Sequence, residues 1–277
     1  MEKLKVLIPT DFSVQAEFAY LLVNKLAEKA PIEIHFAHVL NFPDTVTMDA
    51  DGKITTCGEI DTSYVIQQRD IAVRKLNMLK SLYGEQITTH LAVGKTNQSI
   101  IKLAEEEQFD LIAMGTKGAW GIQEKLSGTE TQVIARKSKV PVLSLMCDRS
   151  GLELKNILLV HQFEDTQAQD LYLLKKLIPV FQPKIHLLQI AKSDNQSEET
   201  IKNNMAIFAK NNGIEDYEAH IIQDQDVESG VIHFNQMNNM DIVCIGTHGK
   251  GGSLFHSSAT EKLINHMFKP IISFQLN

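Results

Sequence analysis

The chain has few of the features that cross-link a protein or anchor it in a membrane. Its 277 residues include three cysteines, one tryptophan and seven prolines. Cys57, Cys147 and Cys244 lie far apart and are odd in number. That excludes a disulfide framework and suits small buried thiols in a reducing cytoplasm. No apolar run approaches the roughly 18 residues that mark a membrane helix, so no membrane span is expected. The opening MEKLKVLIPTDFS lacks an apolar stretch of signal-peptide length and runs directly into a strand-like segment. Positive charge is not in excess either: 27 basic against 34 acidic residues leave a net charge of −7. General attraction to nucleic acid or to an anionic membrane surface is therefore not expected. What remains is an ordinary globular composition, 43% hydrophobic and 22% charged, in a chain long enough for two domains.

The chain repeats itself. Residues 109–118 read FDLIAMGTKG and residues 240–249 read MDIVCIGTHG, each an apolar run opened by Asp and closed by Gly-Thr-x-Gly. Nine residues later each copy has a small residue and Thr, Gly128-Thr129 in the first and Ala259-Thr260 in the second. The openings match as well, LKVLIPTDF at 4–12 and KNILLVHQF at 155–163. Matches recurring in one order indicate an internal duplication, with domains expected at 1–147 and 148–277. The polar, glycine-containing segment CDRSGLELK at 147–155 is the best linker.

Apolar runs alternate with amphipathic stretches. Strands are predicted at 4–8, 32–39, 87–93, 110–115 and 141–146, and helices at 14–30, 62–82, 97–107 and 128–138. The second half repeats the pattern, with strands near 156–160, 184–190, 217–222, 241–246 and 270–275. The expected fold class is α/β, with two tandem open, mainly parallel five-stranded sheets carrying helices on both faces. Residues 41–62 add a hairpin around Asp51-Gly52, expected to cover a neighbouring surface, with the other half as one candidate. Asp49-x-Asp51-Gly52 lacks the remaining ligand positions of a calcium loop.

Gly115-x2-Gly118-x9-Gly128-Thr129 follows a predicted strand in the first half. Ligands of open α/β sheets gather at the carboxyl ends of strands. Glycines there let backbone N–H groups approach phosphate oxygens. Ser127 and Glu130 form a capping box that starts a helix, whose free N–H groups would face an anion.

With this spacing, with Asp-Phe-Ser after the opening strand, and with His38-Val39 and Val93-Gly94 after later strands, the chain resembles the universal stress protein family over its whole length. The first half matches the G-2x-G-9x-G-[S/T] pattern of the family's ATP-binding branch. The resemblance implies a Rossmann-like, adenine nucleotide alpha hydrolase-like fold with ATP as ligand. It places Asp11 and the Val39 backbone at adenine, and Pro9 and Gly115 beside the ribose. Gly118, Gly128, Thr129 and the N–H of Glu130 then contact the phosphates. Mg²⁺ would accompany the triphosphate through phosphate and water ligands. The resemblance further implies a pseudo-dimer of the two halves, with 141–146 against 270–275, and a homodimer as a further option. It suggests a stress or signalling role exerted through unidentified protein partners.

Several residues have a plainer reading. Asp11 would also serve as a loop or capping residue, Lys117 as a solvated lysine and Trp120 as surface packing. The Glu130 carboxylate, unfavourable beside phosphates, is expected to cap the helix and point away. The second half departs from the pattern, with Gln162 at the place of Asp11, Gln225 near that of Gly94 and Ala259 at that of Gly128. Lost phosphate contacts there would cost about 1–3 kcal/mol, or about 5- to 150-fold in affinity. Its run Gly246–Gly252 remains a candidate for another ligand.

Other motifs fail. Gly94-Lys95-Thr96 has Thr89 where a P-loop needs its first glycine, and no dinucleotide fingerprint stands at the first βα turn. Seven of ten histidines fall in the second half without the helical i,i+3 or i,i+4 spacing of metal ligands, and His35 and His38 take opposite faces of a strand. No metal ligands are therefore assigned. No catalytic base can be named, so the expected activity is ATP binding with at most slow hydrolysis. An interaction module without nucleotide and a nucleotide hydrolase or phosphotransferase are the alternatives.

Overall fold

Runs such as VLIP and LIAMG are apolar at successive positions, so their strands must be covered on both faces. A computed structural model describes residues 3–58, 60–116, 130–164, 166–191, 197–248 and 254–275. The first half runs β1 (Leu4–Pro9), α1 (Val14–Ala27), β2 (Ile32–Leu40), β3 (Val46–Met48), β4 (Ile54–Thr56), α2 (Thr62–Tyr83), β5 (Thr88–Val93), α3 (Thr96–Glu106), β6 (Leu111–Gly115), α4 (Glu130–Lys137) and β7 (Val142–Leu145). The second runs β8 (Asn156–Val160), α5 (Tyr172–Phe181), β9 (Lys184–Ala191), α6 (Glu198–Asn211), β10 (Tyr217–Gln223), α7 (Val227–Asn238), β11 (Ile242–His248), α8 (Leu254–His266) and β12 (Ile271–Gln275).

The two sets of five main strands join in one ten-stranded sheet, ordered β10-β9-β8-β11-β12-β7-β6-β1-β2-β5. Every neighbouring pair is parallel except β7 with β12. At that seam Leu143 pairs with Ile272, Ser144 with Ile271, and Ser273 with Val142. The Ser144 hydroxyl donates to the Ile271 carbonyl at 3.4 Å, and Ser273 donates to Val142 at 3.3 Å. The contact is the same read from either half, as across a two-fold axis. Helices α1, α2, α5 and α6 cover one face and α3, α4, α7 and α8 the other, each over a core that runs through both halves.

Side chains reinforce the seam. Arg136 of α4 pairs with Glu261 of α8 at 2.8 Å, and the Gln132 amide donates to the Glu261 carbonyl. From α5, the Tyr172 hydroxyl donates to the Asp110 carbonyl at 2.6 Å, and Lys176 reaches the Asp110 carboxylate at 2.8 Å. The same carboxylate accepts the Lys5 N–H at 2.8 Å, tying the start of β6 to β1. Asp241 repeats this with the N–H groups of Lys155 and Asn156. The aspartate that opens each repeated apolar run is thus a strand-to-strand clamp.

The hairpin β3–β4 turns at Gly52, whose φ of +77° is the left-handed conformation that glycine adopts without strain. Among the described residues it packs on its own half. Val46 and Ile54 pack on Val65 of α2, and Arg69 of α2 donates to the Gly52 carbonyl. The thiols differ from expectation too: Cys244 is buried, and burial pushes its pKa up, whereas Cys57 is exposed and Cys147 half-buried. Cys57 follows β4 at the hairpin's open end.

Two stability outcomes follow. A methyl group on Gly115 would overlap the Gln15 carbonyl of α1, which is backbone and cannot rotate aside. Gly115→Ala is expected to cost about 1–3 kcal/mol or more, read as a lower urea midpoint. Asp110→Ala strands an N–H and an ammonium together and should cost about 1.5–3 kcal/mol. Lys176→Ala, at a partly exposed pair, should cost under about 1 kcal/mol by the same measurement. Equal losses in those two variants would contradict the clamp.

Candidate functional site

The chain runs β1 to β2 to β5 on one side of β1, then returns to place β6 on the other side. The strand order therefore reverses between β1 and β6, where the two connections diverge and leave a crevice at the carboxyl ends. Pro9 ends β1, Asp11 follows it, Val39 lies near the end of β2 and Gly115 ends β6. Four residues named from sequence thus come together on three adjacent strands.

Backbone direction gives Val39 its place. Ala37 pairs with Pro9, the last residue of β1, and its carbonyl accepts from the Thr10 N–H at 2.8 Å. Main-chain groups alternate sides along a strand, and the Leu40 carbonyl faces β5, where it accepts from Gly94. The Val39 N–H and carbonyl consequently point to the β1 side, beyond the point where β1 has ended.

The loop after β1 is held in an unusual shape. Phe12 has φ of 65°, and its N–H donates to the Thr10 hydroxyl at 2.9 Å. His38 reaches the Thr10 carbonyl at 2.7 Å, and its ring lies 4.6 Å from that of Phe12. The exposed Asp11 accepts the Ser13 N–H at 3.0 Å, so it does shape the loop, while Ser13 caps α1. A non-glycine residue with positive φ carries strain of the kind that gathers at functional sites. The second half repeats it: Phe163 has φ of 53°, and its N–H donates to His161 at 2.8 Å. Gln162 therefore does occupy the position of Asp11. The recurring phenylalanine was the available sequence signal for this strained turn.

Thr116, immediately after Gly115, is a further site residue that the sequence reading passed over. Its buried hydroxyl has no hydrogen-bond partner among the described residues. The counterpart hydroxyl, on Thr247, donates to the Phe274 carbonyl at 3.0 Å. The Val39 main-chain groups on the β1 side and the exposed carboxylate of Asp11 are polar groups placed at neighbouring strand ends. Gly115 has its glycine for another reason, the close approach of α1.

Lys117, Gly118, Trp120, Ser127, Gly128 and Thr129 lie outside the described residues, as does the run 249–253 of the second half. Glu130, exposed, is the first residue of α4. One turn-anchoring bond shows how the repeats align here. Thr131 donates to the Gly115 carbonyl sixteen residues back, at 3.3 Å. Thr260 donates to the Gly246 carbonyl fourteen residues back, at 3.2 Å. Ile112 pairs with Val142, and Val243 with Ile271, which requires the same two-residue difference.

The second copy is therefore two residues shorter between β11 and Thr260, so Ala259 does not stand at the place of Gly128. Counting back from the paired threonines, Ala259 corresponds to Glu130. Glu261 corresponds to Gln132 and binds Arg136 across the seam. Strand register likewise gives Asp224 as the counterpart of Gly94, one residue before Gln225. Equal spacing in the sequence had concealed this deletion.

Comparison with known proteins agrees with this architecture. Residues 4–145 match the model of the universal stress protein family. Two universal stress proteins of Methanocaldococcus jannaschii are 28% and 29% identical to it over 140 and 149 residues. Each alignment covers 50% of this chain, with 79% and 92% of the relative. A universal stress protein structure from Archaeoglobus fulgidus superposes with a TM-score of 0.69 over 98% of both chains at 16% identity, a likeness of fold. No helix among the described residues is long and apolar enough to cross a membrane. With the family pattern spanning β1 to β7 and a matching α/β architecture, this chain belongs to the universal stress protein family.

Proposed function

We propose that the chain binds one ATP in the crevice between β1 and β6, and that nucleotide occupancy alters its contacts with other proteins. One observation carries this reading. Asp11, Val39 and Gly115 sit on adjacent strand ends at the reversal of strand order, and Gly115-x2-Gly118-x9-Gly128-Thr129 leads from there into α4. Asp11 and the Val39 backbone would hold adenine, with Pro9 and Gly115 beside the ribose. Gly118, Gly128, Thr129 and the Glu130 N–H would take the phosphates, because backbone N–H groups at a helix start favour anions. Mg²⁺ would bind mainly to phosphate and water oxygens.

In this reading 1–147 and 148–277 are two domains that stand in for the subunits of a dimer, joined by the seam between β7 and β12. The second is the weaker nucleotide site. Its loop is two residues shorter, and Gln162 replaces the acidic side chain of Asp11. We infer at most slow hydrolysis, since the roles assigned to these residues include no general base. Stress signalling in the cytoplasm is the setting this function suits, and a homodimer of the chain is a further assembly to test.

Calorimetry on nucleotide-free protein tests the site. Wild type is expected to take up about one ATP per chain, with Mg²⁺ present. Asp11→Ala should weaken binding about 10- to 150-fold, the loss of a hydrogen bond to a charged group. Adding Gly128→Ala should weaken it further without loss of circular-dichroism signal. No ATP uptake by nucleotide-free wild type would remove the site and favour an interaction module that works without nucleotide.

A further inference from the structure

The repeat has placed a pair of histidines in each half, on the strands farthest from the seam. In the first half His35 of β2 and His90 of β5 meet, Nδ1 to Nε2, at 2.9 Å. In the second, His186 of β9 and His220 of β10 meet through the same atoms at 3.0 Å. Strand register makes these pairs equivalent, because His35 is level with Thr88 and His186 is level with Glu218. The halves therefore differ at one decisive position, where threonine in the first becomes glutamate in the second.

Glu218 completes a cluster. Its Oε2 lies 3.5 Å from His186 Nδ1 and 3.7 Å from His220 Nε2. A tetrahedral ion with bonds of about 2.0–2.1 Å spaces its ligand atoms about 3.3–3.4 Å apart. The three observed separations straddle that value, so the donors already surround a volume of the right size. Two imidazoles, one carboxylate and an open fourth position form a ligand set that zinc accepts.

The surroundings orient these donors. His186 Nε2 lies 3.3 Å from Asn156 Oδ1, an arrangement in which N–H at Nε2 leaves Nδ1 free to ligate. His186 is buried and His220 half-buried, so the surrounding sheet restricts both rings. Glu218 Oε1 is turned toward Lys184, 3.8 Å away, whose ammonium also pairs with Asp216 at 2.9 Å. That leaves Oε2 as the oxygen facing the imidazoles. The Glu218 side chain is about half exposed, at 53%, and provides a way in from solvent.

In the first half Glu33 instead contacts His35 on its other nitrogen, Nε2, at 2.7 Å. The pair there has no third donor on the shared side, and no three-donor group is found there among the described residues. The shared histidine pair is thus a feature of the fold, and the glutamate is an addition specific to the second half.

We propose that His186, Glu218 and His220 form a binding site for one divalent first-row cation, zinc by ligand type. The site lies near the amino ends of β9 and β10, away from the crevice at the carboxyl ends, and does not depend on the nucleotide reading. A bound ion would replace the His186–His220 hydrogen bond and move the His220 proton to Nδ1. It would also clasp β10, the edge strand of the sheet, to its neighbour.

The test is titration of untagged, chelator-treated, nucleotide-free protein with Co²⁺, followed by visible ligand-field absorption, and with Zn²⁺, followed by calorimetry. One ion per chain is expected, with the strong absorption of four-coordinate cobalt. Glu218→Gln, a surface change that leaves the sheet intact, should weaken affinity at least about 10-fold. His186→Gln/His220→Gln should abolish binding, and His35→Gln/His90→Gln should leave it unchanged. Absence of uptake by wild type would overturn the site, as would uptake unaffected by Glu218→Gln or lost in His35→Gln/His90→Gln.

Discussion

The architecture depends on the antiparallel pairing of β7 with β12. Each half is a parallel sheet that ends at one of these strands, with main-chain N–H and carbonyl groups still to satisfy. An uncovered strand edge is both costly and prone to pair with other chains. Joining the two edges satisfies both at once. It also brings α4 and α8 together, where Arg136 and Glu261 meet, and lets the cores on each face continue from one half to the other.

Once the seam is formed, the two halves are under different demands at their distant ends. The seam itself is nearly symmetric, with Leu143 opposite Ile272 and each serine donating to the other strand. Far from it, the copies have diverged. The first has a hairpin seated on α2, an acidic residue after β1 and the longer glycine-rich connection after β6. The second has a shorter connection and a glutamate beside its histidine pair. Packing constrains the shared core closely, since interiors tolerate little change in volume, whereas loop and edge positions can acquire new chemistry.

Much of the fold was legible beforehand because β-strands buried on both faces must be apolar throughout. Segments such as LKVLIP and FDLIAMG can hardly be anything else when bounded by turn residues. Helix starts were legible where a side chain caps them, as Ser13 and Asp61 do. Spacing was less reliable where the repeats differ in length. Ala259-Thr260 lies at the same distance from Gly249 as Gly128-Thr129 does from Gly118, yet Thr260 makes the bond that Thr131 makes. The hairpin's destination was not legible either, because its few apolar side chains would suit several surfaces.

The sequence by itself determined the duplication, the alternation of strand and helix, and the glycine-rich run after β6, since all three are properties of local order along the chain. Gly115 could be named from it by that glycine spacing, Asp11 and Val39 only through family resemblance. Tertiary structure alone decided that these residues lie at the ends of neighbouring strands, because strand order is set by long-range pairing that no local pattern records. It also decided the meeting of His186, Glu218 and His220. His186 lies more than thirty positions from the other two and meets them only when parallel strands align in register, and helical spacing rules do not detect ligands assembled across a sheet.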